Sequence, residues 1–182
     1  MRTRFSIFLA MPEIQLLRPG HIPALLDFEL ENRAYFAASI SDRGDDYFAH
    51  FDERLHALLA EQDAGICYFH VIAGPKGEIL GRVNLVDAAD GEAELGYRIA
   101  ERAAGAGLAS WAVRELCGIA ANSYGLTDLR AATTLDNKAS RAVLARSGFE
   151  VVGESEFGGR PGLTFHRSLA EFAVRPSAPA VP

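Results

Sequence analysis

Hydrophobic and polar residues change their spacing several times along this chain, and each change marks an element. Leu95, Tyr97 and Ile99 alternate with Glu94, Gly96 and Arg98, which predicts a strand over residues 93–100. From Leu108 the period lengthens. Leu108, Ala112, Val113, Leu116, Cys117, Ile119 and Ala120 fall on one helical stripe, and Gly125 is placed to end that helix. Upstream, residues 14–18 read as a short strand closed by Pro19-Gly20. Residues 21–32 read as a helix with Ile22, Leu25, Leu26 and the run Phe28 to Leu30 inward, and residues 45–62 as a second helix carrying Phe48, Phe51, Leu55, Leu58 and Leu59. Residues 66–73 and 78–86 form a hairpin around Gly74-Pro75-Lys76-Gly77. Downstream come a strand over residues 129–135 and a short helix from Asn137 to Ser147-Gly148-Phe149. A final hairpin, residues 149–155 and 162–169, turns at Phe157-Gly158-Gly159-Arg160-Pro161. The order βααββ-βαβαββ is that of one mixed α/β domain.

The junction between the strand at 93–100 and the helix at 108 carries the first chemical signal. Ala104-Gly105-Ala106-Gly107-Leu108-Ala109 places two glycines where the first N–H groups of a helix have no intrahelical partner. Free donors and the helix dipole both favour an anion there, and glycine lets the backbone approach it closely. On its own the pair of glycines is equally a plain flexible loop. The second signal, about thirty residues on, is Leu135-Asp136-Asn137-Lys138-Ala139-Ser140-Arg141-Ala142-Val143-Leu144-Ala145-Arg146-Ser147-Gly148-Phe149.

Together the two segments resemble the GNAT N-acetyltransferases, most closely the ribosomal-protein alanine acetyltransferase-like branch with an Asn-x-x-Ser helix start. The likeness runs from Glu13 to Leu169. It implies a GNAT fold: a mixed, mostly antiparallel sheet whose central parallel strands splay apart, with about four helices. It also implies an acetyl-CoA-binding turn of the form Gln/Arg-x-x-Gly-x-Gly/Ala. The turn is read with its leading position at Ala104 and its middle, often basic, position at Ala106, so a long polar side chain is missing and weaker cofactor affinity is expected, with Arg102 nearby. Leu95, Tyr97, Ile99, Gly105, Gly107, Leu108, Ala109, Asn137 and Ser140 complete the implied coenzyme site. The family's tyrosine acid falls on Leu144, which leaves Ser140 as the group facing the sulfur.

The residues allow other readings. Asn137 or Asp136 is equally an N-cap, and Ser140 a small surface hydroxyl whose pKa suits hydrogen bonding to a thiolate better than acid catalysis. Glu94 is the candidate base, with a solvated strand-edge carboxylate as its alternative. Glu31, Asn32, Arg33 and Tyr35, between the first two helices, are expected to form the acceptor wall by resemblance, although aromatic residues there also suit the core.

Composition narrows this picture. With 182 residues, 49% of them hydrophobic, the chain suffices for one domain with a real core. A net charge of −6 argues against a nucleic-acid partner and suits an amine acceptor. The 5 histidines lack metal-ligand spacing, so no metal is expected, and two isolated cysteines suit a reducing, cytoplasmic compartment. No run is long enough to span a membrane. Residues 1–11, with Arg2 and Arg4 before a short apolar run, read as an extension, with Met11 an alternative start. Residues 12–170 read as the domain and 171–182 as a disordered, Pro- and Ala-rich tail. The expected activity is acetyl-CoA-dependent acetylation of a primary amine, a protein N-terminal amine first and a small amine second, with a homodimer open. A non-catalytic acyl-CoA sensor is the rival from another class. A dinucleotide-binding fold is disfavoured because its glycine turn follows the first strand.

Overall fold

The computed structural model describes residues 11–173, so the expectation for residues 1–10 lies outside the described residues. Seven strands form one sheet: β1 (Glu13–Leu16), β2 (Tyr68–Ala73), β3 (Ile79–Ala89), β4 (Glu92–Ile99), β5 (Asp128–Thr134), β6 (Glu150–Phe157) and β7 (Arg160–Ser168). Their spatial order is β1-β2-β3-β4-β5-β7-β6. Every neighbouring pair is antiparallel except β4 and β5, which run parallel from Glu92↔Asp128 to Glu94↔Arg130 and pair no further.

Six α-helices cover the sheet: α1 (Ile22–Glu31), α2 (Arg33–Ala37), α3 (Asp45–Ala49), α4 (Phe51–Asp63), α5 (Leu108–Ser123) and α6 (Lys138–Arg146). The two beyond the expected four have local causes. Residues 45–62 are not one helix, because His50 leaves helical geometry at φ −110°, ψ 26°. Acidic residues open both halves, Asp45 and Asp46 in α3 and Asp52 and Glu53 in α4, each pair at a positive helix end. Helix α2 holds five residues, too few for a periodicity to declare itself.

Strand alternation sends side chains into two cores, one on each face of the sheet. Phe69 and Val71 of β2 pack with Leu25 and Phe28 of α1 and with Phe51 and Leu55 of α4. Ile72 of β2, Val83 and Leu85 of β3 and Leu129 of β5 pack with Val113, Leu116 and Cys117 of α5. The alternation of β4 therefore decides which side of the molecule each of its residues serves. Leu95 faces α5, and Glu94, Gly96 and Arg98 face α1. Three glycines end helices in the left-handed conformation, Gly65 (φ 73°) after α4, Gly125 (φ 67°) and Gly148 (φ 78°). After the last two, the following amides bond back across the turn, Leu126 N to Ala120 O and Phe149 N to Leu144 O, both at 3.0 Å. Residues 171–173, assigned to the tail by composition, belong to the domain: the Phe172 ring packs on the α5 side and its carbonyl accepts from Asn122.

Candidate active site

Beyond Glu94 one edge of β4 has no strand beside it, because β5 has diverged. Peptide groups along that edge need partners, and a buried edge without any is costly. The gap opens into two cavities that meet at Tyr97, Arg98, Asn137 and Ser140.

The inner cavity, about 320 Å³, leads from the gap to the turn before α5. A 3-10 turn over Glu101–Ala103 brings the chain to Gly105 (φ 78°) and Gly107 (φ 83°), and α5 starts at Leu108. Neither glycine has a heavy atom within 4 Å of where a Cβ would stand. The helix end is thus an open cradle of N–H groups, suited to a diphosphate. Ala104, Gly105, Gly107, Leu108 and Ala109 line this cavity together with Tyr97 and Ile99 of β4, whereas Ala106 is exposed beside it. With Gly105 and Gly107 fixed as the left-handed pair, the Gln/Arg-x-x-Gly-x-Gly pattern begins at Arg102, and the assignment of its head to Ala104 is corrected. Arg102 Nη2 donates to the Ile79 carbonyl at 2.9 Å, so this side chain braces the turn against β3 and lies off the cavity wall. Two cations line the cavity, Arg98, held by Glu29, and Arg146. Arg146 is the one without a carboxylate among the described residues. It follows Ala139, Ala142 and Val143 on one face of α6. The sequence signal for it was that spacing alone.

At the mouth of the gap Asn137 caps α6, its Oδ1 accepting from Ser140 N at 3.0 Å while its amide NH2 makes no hydrogen bond among the described residues. The cap reading and a coenzyme contact through the free NH2 are therefore compatible. Ser140 Oγ lies 3.0 Å from the Tyr97 hydroxyl, which also approaches the Ser140 carbonyl at 3.3 Å. Burial raises the Tyr97 phenol above its usual range, and the Ser140 hydrogen bond opposes that rise. The sequence reading assigns Tyr97 to a strand and, by resemblance, to the coenzyme site; the hydroxyl contact 43 positions away has no local signature. Leu144 is buried at 1% exposure, a core residue where the family's tyrosine would stand.

The outer cavity, about 750 Å³, lies on the α1 face of β4. Glu94 lines it, exposed, with Gly96 and Arg98 on the same face. The expected acceptor wall is arranged differently. Asn32 is buried and doubly bonded, donating to Phe28 O at 2.8 Å and accepting from Glu101 N at 2.9 Å, which ties α1 to the coenzyme turn. Arg33 is held by Asp42 at 2.6 Å and Asp45 at 2.7 Å. Glu31 points to solvent, and Tyr35 lines the inner cavity. The outer wall is built instead from Ser39, Ile40, Ser41 and Arg43, and from Glu156, Phe157 and Arg160 at the β6–β7 tip. Those two segments touch: Arg160 donates to Ser39 O at 3.2 Å and to Asp136 at 2.5 Å. On the floor Arg82 and Arg98 share the Glu29 carboxylate at 2.8 and 3.0 Å.

Neither thiol reaches the cleft. Burial pushes Cys67 up to about 12 and Cys117 up to about 11, so neither is a ready nucleophile. Among the described residues no cluster of His, Cys, Asp and Glu is arranged to hold a metal ion, and no helix is long and apolar enough to cross a membrane.

Several solved structures share this architecture. The ribosomal-protein-S5-alanine acetyltransferase of Vibrio fischeri superposes with a TM-score of 0.82 at 17% identity, covering 91% of this chain and 100% of that one. Mycobacterium smegmatis RimJ, in complex with CoA-disulfide, gives 0.78 at 23% identity over 87% of this chain and 82% of its own. Spermidine N-acetyltransferase from Vibrio cholerae, in complex with CoA and spermine, gives 0.75 at 15% identity over 88% and 97%. These likenesses establish the fold. No protein of curated function matches by sequence. The acetyltransferase (GNAT) domain profile matches residues 14–150, most of the described chain, and the protein therefore belongs to the GNAT acetyltransferases, a family of acyltransferase enzymes.

Proposed function

We propose that this chain transfers an acetyl group from acetyl-CoA to a primary amine by direct attack in a ternary complex. The observation that carries the reading is continuity. One cleft joins the N–H cradle at Gly105–Gly107, the unpaired β4 edge, the Ser140–Tyr97 hydroxyl pair and the Glu94 carboxylate. The chain's groups fit the coenzyme: an open cradle for a diphosphate, Arg146 beside it, and strand peptides for the pantetheine amides.

The roles follow from placement. Glu94 accepts the proton that the attacking amine sheds, directly or through a water. A β4 backbone N–H in the gap stabilises the oxyanion. Ser140, oriented by Tyr97, donates a hydrogen bond to the departing thiolate. The acceptor is an amine; resemblance favours a protein N-terminal amine, and the bridging of the outer cavity by Arg160 favours a small one. Two buried, free thiols suit the reducing cytoplasm.

The test is coenzyme A release from acetyl-CoA over a panel of amines, run beside a thermal shift against ATP and NAD. A shift with acetyl-CoA plus amine-dependent release is expected. A shift without release above hydrolysis would identify a non-catalytic acyl-CoA sensor, and no shift would refute the coenzyme site.

A further inference from the structure

We propose that the acceptor is a small amine carrying its own carboxylate or phosphate, bound with the anion against Arg82, Arg98 and Arg43 and the amine toward Glu94. This rests on the acetyl-transfer reading above and names the substrate class of the same site.

The charge pattern of the outer cavity floor carries the inference. Strands β3 and β4 pair there as Arg82↔Arg98, Asn84↔Gly96 and Val86↔Glu94. Side chains two apart share a face, so these pairs form a row along the α1 side. At one end two guanidiniums stand directly opposite each other, an arrangement that is unfavourable unless compensated. Compensation is incomplete. Glu29 supplies one carboxylate, 2% exposed, to Arg82 and Arg98, whose side chains are 6% and 14% exposed. Arg43 faces the same space without a carboxylate partner, bonded to the Tyr47 hydroxyl at 2.5 Å and stacked on its ring at 4.5 Å. The nearby carboxylates Asp42 and Asp45 are taken by Arg33, and Asp136 by Arg160. Three guanidiniums thus face one carboxylate. Burial holds the Arg98 guanidinium below its usual range; Glu29 opposes that fall, and Arg43 and Arg82 each add to it.

The acids that line the cavity lie elsewhere, Glu94 on β4 and Glu156 at the hairpin tip. Glu94 is four residues from Arg98, about 13 Å of strand. The cavity therefore has a cationic end and an acidic end, complementary to a molecule with an anion and an amine. Between them Gly96 is a bare floor, with no heavy atom within 4 Å of a notional Cβ. A polyamine would place ammonium groups against the arginines. A volume of about 750 Å³ suits a small ligand, and the Arg160 contacts to Ser39 and Asp136 cross the path a long peptide would follow.

The test measures kcat/KM for matched acceptors: L-glutamate and L-alanine against L-alaninamide, phosphoethanolamine against ethanolamine, with spermidine and an alanine-initiated hexapeptide. At least about a tenfold preference for the anion-bearing member of a pair is expected, since a charge-assisted contact distinguishes them. The two pairs separate a carboxylate acceptor from a phosphate one. Arg43 is exposed, so R43Q should fold; it should raise KM for the anionic amine several-fold and leave the KM of acetyl-CoA unchanged, and Arg43→Lys should recover part of the loss. Equal use of the anionic and the neutral member in both the carboxylate and the phosphate comparison, or preference for spermidine or the hexapeptide, would overturn the acceptor proposal while leaving acetyl transfer standing. Release of coenzyme A with none of these amines, with no thermal shift by acetyl-CoA, would overturn the parent reading.

Discussion

Replacing Glu29 with glutamine keeps the shape of the α1 side chain and removes the one carboxylate between Arg82 and Arg98. The three groups are 2%, 6% and 14% exposed, and both bonds to the carboxylate are 3.0 Å or shorter. Removing one partner of a buried ion pair leaves an uncompensated buried charge and typically costs about 3–5 kcal/mol. Here two cations are left facing each other across β3 and β4, so the upper part of that range is expected. For a domain of this length each kcal/mol lowers Tm by about 2–4 °C, which places the loss, at about 4–5 kcal/mol, at about 8–20 °C. Total stability is on the order of 5–15 kcal/mol, so Glu29→Gln should remain folded at room temperature but lose a large share of its margin. Urea unfolding followed by circular dichroism measures the effect as a fall in midpoint with an unchanged slope. The triple replacement Glu29→Leu, Arg82→Met and Arg98→Leu separates breaking the cluster from removing it, because apolar residues of similar volume are often neutral or stabilising. It should be far more stable than Glu29→Gln. Sulfate should also restore part of the Glu29→Gln loss, since an anion that binds only the folded state stabilises it by mass action. A loss below about 1 kcal/mol for Glu29→Gln, insensitive to sulfate, would refute the reasoning: the arginines would then be sufficiently solvated to need no counter-charge.

Three further outcomes are expected. Tyr97→Phe and Ser140→Ala should each lower kcat by about 10- to 100-fold with little change in KM, and the double variant should lose no more than either alone, because one hydroxyl pair is involved; additive losses in steady-state kinetics would show that they act separately. Gly107→Ala forces a side chain to φ 83°, which costs about 1–2 kcal/mol, and should lower Tm by a few degrees while raising KM for acetyl-CoA, read by thermal shift and a coenzyme titration. His70 is 2% exposed, with its ring nitrogens near Val83 O and the Tyr124 hydroxyl, and burial pushes it down to about 4 from 6.5. The unfolded chain takes up this proton first as pH falls. The contribution is therefore intact above pH 6.5 and lost between 6.5 and 4, about 3 kcal/mol in all. Urea midpoints at pH 7 and 4.5 should converge more for His70→Gln than for the parent, and equal slopes would exclude His70 as the source.

The strand, turn and helix that form the inner half of this cleft could be read from the sequence because their determinants are local. A period of two ending at Ile99, a period of three to four starting at Leu108 and two glycines between them give strand, turn and helix directly, and the structure places Gly105 and Gly107 in the left-handed region. The helix stops at Gly125 and Gly148 were legible for the same reason. What escaped was tertiary. Glu29 falls within the run Phe28 to Leu30 that the pattern sends inward, and of that run Leu30 instead is exposed; the partners of Glu29 lie 53 and 69 residues away, and Arg160 reaches a carbonyl 121 residues back. Periodicity ranks a carboxylate as polar whether it meets water or two guanidiniums, so no window of the chain could name the two arginines that Glu29 meets. The turn at His50 failed for a related reason: Phe48 and Phe51 keep a helical spacing across a break that only their packing reveals.

This division between local and distant determinants has a functional consequence. The inner cavity depends on backbone conformation at a few consecutive residues, so on the proposed function substitutions there are expected to act on binding of the donor whatever the acceptor. The acceptor side is assembled from α1, the loop after α2, β3, β4 and the β6–β7 tip, and its charge is set by side chains, not by backbone. Arg43 and Glu156 are exposed and Gly96 has open space above it, so each can change without disturbing either core. Such a scaffold can exchange one amine for another by a few surface substitutions while the fold and the donor site stay fixed. On the acceptor proposed above, the selectivity of this chain rests on Arg43, Arg82, Arg98 and Glu94, and not on the fold.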